Sequence, residues 1–458
     1  MTDTDLDLAD PDLRRSLQAL PARPAIDLED AWTEHQVRLV RRRRRQHVEQ
    51  GALMLAGIAA VAVAVVVVVT SIVPTAPPRP SATPQTPWRT VSSTTPLPFT
   101  APGILGPGSS AGLTCPAASV CYVESLGPAV GGGTVTTRRS AYRSTDGGAS
   151  WEALPLPPDV TLESPFVCPT PTSCVASATV GPDPGGFAVL LATTDRGDHW
   201  VTHRTLDNGA YVLLSLVCVS FSTCMGHATA VTSSNNPEHL DVALLRTVDG
   251  GNHWTVGLNP WPGGQMACAG RNCVLLDGET VSSHAAGVPP HPSFALYSSD
   301  AGRSWSTGSV PADWIGGSVP LSCPGGDHCL ALGFIMSGPF HGRPWSTSAL
   351  VATTDGGRTW HQQSTFAGLP RYATTPTSLS CPTPEDCWAT LFDDDGPHSV
   401  IDSSRDGGRS WNLVTLPAGT PPTMIPQLTC PTTEACTALA VLDDSRKPVE
   451  VLTNNPHP

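Results

Sequence analysis

Beyond its first fifty residues this chain has a single lysine, Lys447, and no cluster of arginines. Of its 39 acidic and 26 basic residues, ten and nine fall within residues 1–50, which leaves the remainder near −12. So few cations give a polyanion nothing to hold, and nucleic-acid binding is excluded. Tyrosine is scarce, with five in 458 residues. The scattered histidines, among them His284, His291 and His341, form no H-x-x-x-H or triad-like pattern, and nothing in the sequence calls for a cofactor. An unpaired cysteine is missing as well.

One long uncharged run is present, Gly51 to Val73, with 23 residues rich in valine and alanine. As a helix it reaches roughly 34 Å, enough to cross a hydrocarbon core of about 30 Å. Arg38 and Arg41 to Arg45 precede it and no basic cluster follows, so the positive-inside bias predicts a cytoplasmic N-terminus and an extracytoplasmic C-terminus. The run is longer than a signal-peptide core and some fifty residues precede it, which favours an uncleaved single-pass anchor in the cell membrane. No cysteine near its outer end offers a lipoprotein acceptor. Residues 1–50 read as a largely disordered cytoplasmic tail whose arginines serve topology and attraction to anionic lipid. Residues 74–86 are a Pro/Ser/Thr-rich linker, and 87–458 form an extracytoplasmic domain.

What fills that domain is a double repeat. The fourteen cysteines fall into seven local pairs, Cys115/Cys121, Cys168/Cys174, Cys218/Cys224, Cys268/Cys273, Cys323/Cys329, Cys381/Cys387 and Cys430/Cys436. Outside the membrane such pairs read as disulfides. C-x5-C is not a common zinc spacing, and each pair sits too far along the chain from the next to complete a four-ligand site, so no metal is expected. Between the pairs run six segments of pattern Ser/Thr-x-Asp-x-Gly-x-x-Trp: STDGGASW, TTDRGDHW, TVDGGNHW, SSDAGRSW, TTDGGRTW and SRDGGRSW. Their aspartates recur every 49 to 55 residues, a period of the propeller or solenoid kind.

Within a repeat the alternation predicts four strands, as in Glu163 to Leu206: a short strand ending at Cys168, a strand from Cys174 to Val180, a third over FAVLLATT, and a fourth from Trp200 to Leu206. A sheet of this kind cannot bury both faces alone. Seven of them, at about 53 residues each, predict an all-β fold, a seven-bladed β-propeller with four-stranded blades, preceded by a single transmembrane helix. The seventh repeat stops after VEVLTNNP, with Asn455 where a turn aspartate would stand. PWRTVSSTTPLP, with Trp88 in the position of a turn tryptophan, is expected to supply the missing strand and close the ring.

The six segments resemble Asp-box (BNR) repeats of the sialidase superfamily, found also in photosystem II assembly-factor-like propellers, sortilin-type receptors and some xyloglucanases. The chain looks like a membrane-anchored bacterial member of that group. The resemblance implies structural turns. Asp146, Asp195, Asp249, Asp300, Asp355 and Asp406 would bond to backbone groups, and Trp151, Trp200, Trp254, Trp305, Trp360 and Trp411 would pack into the blades. Sialidases need an arginine cluster, a tyrosine nucleophile with a glutamate, and an F-R-I-P-like segment; the last is absent here, which argues against that activity.

Strand alternation puts disulfides and turns on one face and the irregular loops on the other. That second face carries Trp261, Trp314, His341, Arg343, Trp345, Arg371 and Tyr372, aromatics beside arginine as in a binding patch. Trp261 and Trp314 have a plainer reading as plugs between blades. Asp393 to Asp395 with Asp443 and Asp444 read as solvated acidic turns in preference to a calcium site. The sequence thus predicts a non-catalytic module binding a protein or glycan ligand. A glycoside hydrolase using loop carboxylates and a sensor signalling through the basic tail are the alternatives.

Overall fold

Each repeat's apolar alternation builds one antiparallel sheet in the computed structural model, which describes residues 87–91, 97, 110–126, 140–181, 187–205, 211–230, 242–258, 264–277, 294–315, 320–340, 343–365, 374–393, 399–417, 424–441 and 449–456. The chain separates into two units, Met1–Ala82 and Thr83–Pro458, and every described residue belongs to the second. The tail, the 51–73 run and the linker lie outside the described residues. Among the described residues no helix is long and apolar enough to cross a membrane.

Seven sheets form a seven-bladed β-propeller. Blade 1 holds Ser110–Ala117, Val120–Leu126, Ala141–Ser144 and Glu152–Ala153. Blade 2 holds Val160–Leu162, Cys174–Val180, Phe187–Thr193 and Val201–Arg204, and blade 3 Tyr211–Cys218, Cys224–Ala230, Val242–Thr247 and Thr255–Leu258. Blade 4 holds Gln265–Ala269, Asn272–Asp277, Phe294–Ser298 and Ser306–Gly308. In blade 5 the first strand is split into Trp314–Ile315 and Leu321–Gly325, followed by His328–Phe340, Arg343–Thr353 and His361–Thr365. Blade 6 holds Thr374–Ser380, Cys387–Asp393, Ser399–Ser404 and Asn412–Leu413.

Blade 7 takes Met424–Thr432, Ala435–Val441 and Glu450–Thr453 from the C-terminus and its fourth strand, Arg89–Thr90, from the other end of the domain. Arg89 stands opposite Thr453 and Thr90 opposite Leu452, and Arg89 Nη2 donates to the Asn455 carbonyl at 2.7 Å. The closing strand is therefore upstream, as the sequence predicts. The register differs from the other blades. Full repeats set the second cysteine opposite the Ser or Thr that opens the turn, as Cys121 faces Ser144, Cys174 faces Thr193 and Cys329 faces Thr353. Blade 7 instead sets Thr453 opposite Thr437 and bonds the Cys436 N–H to Asn454 Oδ1.

One strand boundary departs from the sequence reading. The first strand of blade 2 is Val160–Leu162, ahead of Glu163, and only Val167 returns to the ladder, opposite Val175. Pro165 has no N–H to give, which breaks the pairing between them.

Seven buried apolar clusters fill the seven clefts between blades. Trp151 packs with Leu439, Val441 and Val451 of blade 7, Trp200 against blade 1 and Trp254 against blade 2. Trp305, Trp360 and Trp411 repeat this against blades 3, 4 and 5. Trp88 does the same for blade 7, buried beside Trp388 and Ile401 of blade 6. A tryptophan between every pair of sheets is a large apolar contribution to each cleft.

Candidate functional site

The six turns share one geometry. In the first, Ser144 Oγ donates to Asp146 Oδ1 at 2.8 Å and accepts the Gly148 N–H at 2.7 Å. Asp146 Oδ1 also accepts the Ser150 N–H at 2.8 Å, and Oδ2 the Ser150 hydroxyl at 2.5 Å. The bond from Ser or Thr to the aspartate recurs at Asp195, Asp249, Asp300, Asp355 and Asp406. In the second and third turns a histidine replaces the hydroxyl residue, so His199 Nδ1 and His253 Nδ1 each lie 2.6 Å from the aspartate. The Ser304 hydroxyl and N–H hold Asp300 down to about 2, and the His253 N–H and ring hold Asp249 down to about 2. Such carboxylates are engaged within their own turns and ill-suited to proton transfer.

The turn is also docked on the disulfide loop of its own blade. The residue after each aspartate donates its N–H to the carbonyl two residues before the second cysteine: Gly147 to Ser119, Arg196 to Thr172, Gly250 to Ser222, Ala301 to Arg271, Gly356 to Asp327 and Gly407 to Glu385, at 2.8 to 2.9 Å. All seven bridges join cysteines of one repeat, 5 or 6 residues apart. No free cysteine remains. The glycine two places after the aspartate meets the neighbouring blade: a Cβ on Gly302, whose φ is +75°, would lie 1.8 Å from Met225 Sδ.

The loops closed by the bridges share a face with the turns that rest on them, as the sequence predicts. The second cysteine of each pair belongs to the second strand and points into a cleft. Cys121 is fully buried with Leu113 and Trp151 between blades 1 and 7. Cys329 is buried with Val274 and Trp360 between blades 4 and 5. Cys174, Cys224, Cys273, Cys387 and Cys436 are fully buried in the same way. These sulfurs are core groups that also cross-link, and they offer nothing to a ligand.

The sequence-predicted ligand residues are placed unequally. Trp314 is a correction. Its side chain is 1% exposed in the cluster between blades 4 and 5, with Val274, Ala331 and Trp360, because Trp314–Ile315 pairs with Ile335 and Phe334 and draws the ring inward. Arg343 and Trp345 stand on the long hairpin of blade 5, where Phe340 faces Arg343 and Ser337 faces Trp345. That hairpin has strands of 13 and 11 residues, against 7 and 7 in blade 2. Trp261, His341, Arg371 and Tyr372, with Asp394, Asp395, Asp443 and Asp444, lie outside the described residues. Among the described residues no cluster of three or more potential metal ligands occurs.

Two carboxyls escaped the sequence reading. Glu124 is fully buried, and burial pushes it up to about 8 against the opposing hydrogen bonds to the carboxylate. Asp402 is buried and pushed up to about 6 by burial. Aligning the repeats on their cysteines and turns would have found both. Glu124 holds the place of Leu276, Leu332 and Leu439, and Asp402 that of Leu191, Leu245, Leu296 and Val351. Both face clefts between blades.

The architecture defines a seven-bladed β-propeller of four-stranded blades. No protein-family model and no curated protein matches the chain. Among solved structures it is similar to a GH74 xyloglucanase from Xanthomonas campestris, with 19% identity and a TM-score of 0.46, covering 79% of this chain and 55% of that one. The chain thus spans about half the length of that enzyme. It is also similar to YCF48 bound to a D1 peptide, with 14% identity, a TM-score of 0.47 and 81% and 98% coverage of the two chains. A Hadza microbial sialidase is 14% identical with a TM-score of 0.38, covering 65% of this chain and 66% of that one.

Proposed function

We propose that the chain is a membrane-tethered, extracytoplasmic Asp-box propeller that binds a protein or glycan ligand on the face opposite its turns and performs no catalysis. The observation that carries this reading is the blade 5 hairpin, longer than its counterparts and bearing Arg343 and Trp345 close to its turn. Arginine with tryptophan is the composition from which binding hot spots are most often made. The carboxylates of the turns are engaged structurally, and the two raised carboxyls lie in clefts between blades, so neither set supplies an acid and base around a substrate. Seven bridges suit the oxidising side of a membrane, where the charge bias around residues 51–73 places the domain.

The test uses the full chain in lipid nanodiscs, screened against glycan and peptide arrays and a panel of chromogenic glycosides. Binding without turnover is expected, with Trp345→Ala weakening it by about tenfold or more. Glycoside hydrolysis abolished by one carboxylate substitution would replace this reading with the hydrolase. Binding unaltered by Trp345→Ala, Arg343→Ala and Trp261→Ala would remove the proposed face.

A further inference from the structure

Phe166 of blade 2 is held from blade 1 through both its backbone polar groups, and its ring lies between the two blades. That ring, 1% exposed, stacks on Trp200 at 5.3 Å and meets Tyr122 edge-on at 5.8 Å. Its carbonyl accepts the Thr114 hydroxyl at 2.8 Å, and its N–H donates to Glu124 Oε1 at 2.9 Å. It belongs to the Glu163–Phe166 stretch that leaves the ladder between Leu162 and Val167, so these side-chain bonds replace the missing strand partner. Glu124 Oε2 is buried and has no hydrogen-bond partner among the described residues.

The site is built for this one side chain. Glu124 stands opposite Gly112 on one side and Ala141 on the other. A Cβ on residue 112 would lie 2.0 Å from Glu124 Oε2 and 2.9 Å from Pro165 Cβ, so only glycine leaves room for the carboxyl. The equivalent of Gly112 elsewhere is Pro165, Ser215, Gln265, Pro320, Ser378 or Gln427. Three other blades fill the Glu124 position with leucine, which shows that the fold itself asks for no acid there.

Among the described residues no charge faces the carboxyl. Along its own strand the neighbour on the same face is Tyr122, whose hydroxyl donates to the Pro171 carbonyl. The first strand of blade 1 presents Gly112 and Thr114, and the third presents Ala141, with Arg143 beyond it engaged by Glu152 and Asp198. Blade 2 presents Pro165 and Phe166, and its Glu163 accepts the Thr179 hydroxyl at 3.0 Å.

We propose that Glu124 is a protonation-operated clasp between blades 1 and 2: as a neutral acid it holds the Phe166 peptide across the cleft, and loss of its proton accompanies opening of that cleft. A neutral carboxyl accepts the Phe166 N–H through one oxygen and leaves a net-uncharged group among apolar rings. An ionised one would place an unpaired charge there, a cost that water entering the cleft relieves. Closed, the group titrates near 8; open to water it returns to the ordinary range near 4.3. The sign follows. Opening releases a proton between these values, so the opening equilibrium rises with pH from roughly 5 to 8 and levels above, by about tenfold per pH unit.

The experiment uses the full chain in detergent micelles. Infrared spectroscopy at pH 7 should show a protonated-carboxyl band that vanishes with a midpoint near 8 and is missing from Glu124→Gln. Hydrogen exchange at the Phe166 amide, after allowance for base catalysis, should accelerate by about tenfold per unit between roughly pH 5 and 8 in the wild type and stay flat in Glu124→Gln. Parallel exchange profiles in the two proteins would overturn the clasp. If the variant does not fold, the wild-type infrared titration decides alone, since a carboxyl already ionised at pH 7 defeats the proposal.

Discussion

Two of the six turns put a non-glycine residue in the left-handed region, Arg196 with φ 67° and Ala301 with φ 61°, where the other four have glycine. Those two are also the turns reached by an arginine from the preceding blade. Arg143 Nη1 donates to the Arg196 carbonyl at 2.7 Å, and Arg246 Nε to the Ala301 carbonyl at 2.8 Å. The positions matching Arg143 and Arg246 in the other full repeats hold Ala192, Tyr297, Ala352 and Ser403. A left-handed residue with a Cβ costs about 1–2 kcal/mol, and a hydrogen bond from a charged donor contributes about the same, so the clamp offsets the strain it grips. Arg246→Ala should therefore destabilise the protein by about 1–2 kcal/mol, and Ala301→Gly should recover part of that loss in the double variant. Thermal unfolding of the four proteins in the cycle checks this; strictly additive effects would separate the arginine from the turn. Both departures from glycine stand plainly in the sequence, but the arginine that answers each lies 53 or 55 residues away, and only the docking of blades reveals it.

At the scale of the element, sulfur pair and turn prove to be one unit, because the turn's N–H after the aspartate rests on the loop the bridge closes. Removing the bridge of blade 4 as Cys268→Ser with Cys273→Ser should cost about 2 kcal/mol. It should also speed exchange of the Ala301 amide, which donates to the Arg271 carbonyl, while the matching amide of blade 6, Gly407, keeps its protection. Unchanged exchange at Ala301 would mean that the bridge and the turn are independent. Blade count, strand order and ring closure were legible in the sequence because cysteines and tryptophans recur at fixed offsets, and the second and third strands of blade 2 fall almost where alternation puts them. Less legible was whatever depends on a facing surface or a single exception. The pairing of Cys121 or Cys329 could be read from spacing, but the burial of its sulfur depends on the blade that packs over it. Pro165 displaced a strand boundary, Asn454 slipped the register of blade 7, and Trp314 turned into the core though its neighbours Pro311 and Gly316 read as surface loop. Glu124 and Asp402 passed unnoticed because an acid in a strand looks like an exposed position until the facing cleft is known.

For the whole molecule, closure and charge act on the same ring. No bridge crosses between blades, so among the described residues the circle is shut by the short Arg89–Thr90 strand, by Trp88 beside it and by the Asn455 side chain, which donates to the Ala118 carbonyl of blade 1 at 2.9 Å. Anything that loosens one cleft weakens the circle as a unit, and the carboxyls loosen it from opposite ends of the pH scale. The turn aspartates have folded values below their ordinary range, so their contribution is full above about pH 4 and is lost as pH falls toward about 2, the value of Asp249 and Asp300. Asp402 works the other way: its folded value is raised to about 6, so stability present at acid pH is lost as pH rises through the ordinary aspartate range up to that value. Glu124 extends the loss toward 8. The ring should consequently be most stable near pH 4–5, on the acid side of the usual optimum. Asp402→Asn removes one buried charge at an otherwise apolar position. It should raise stability at pH 7 by about 2–3 kcal/mol and leave it nearly unchanged at pH 4, as read from denaturant unfolding at the two pH values. An equal effect at both would show that Asp402 enters the cleft as a space-filling group and that its ionisation does not strain the ring.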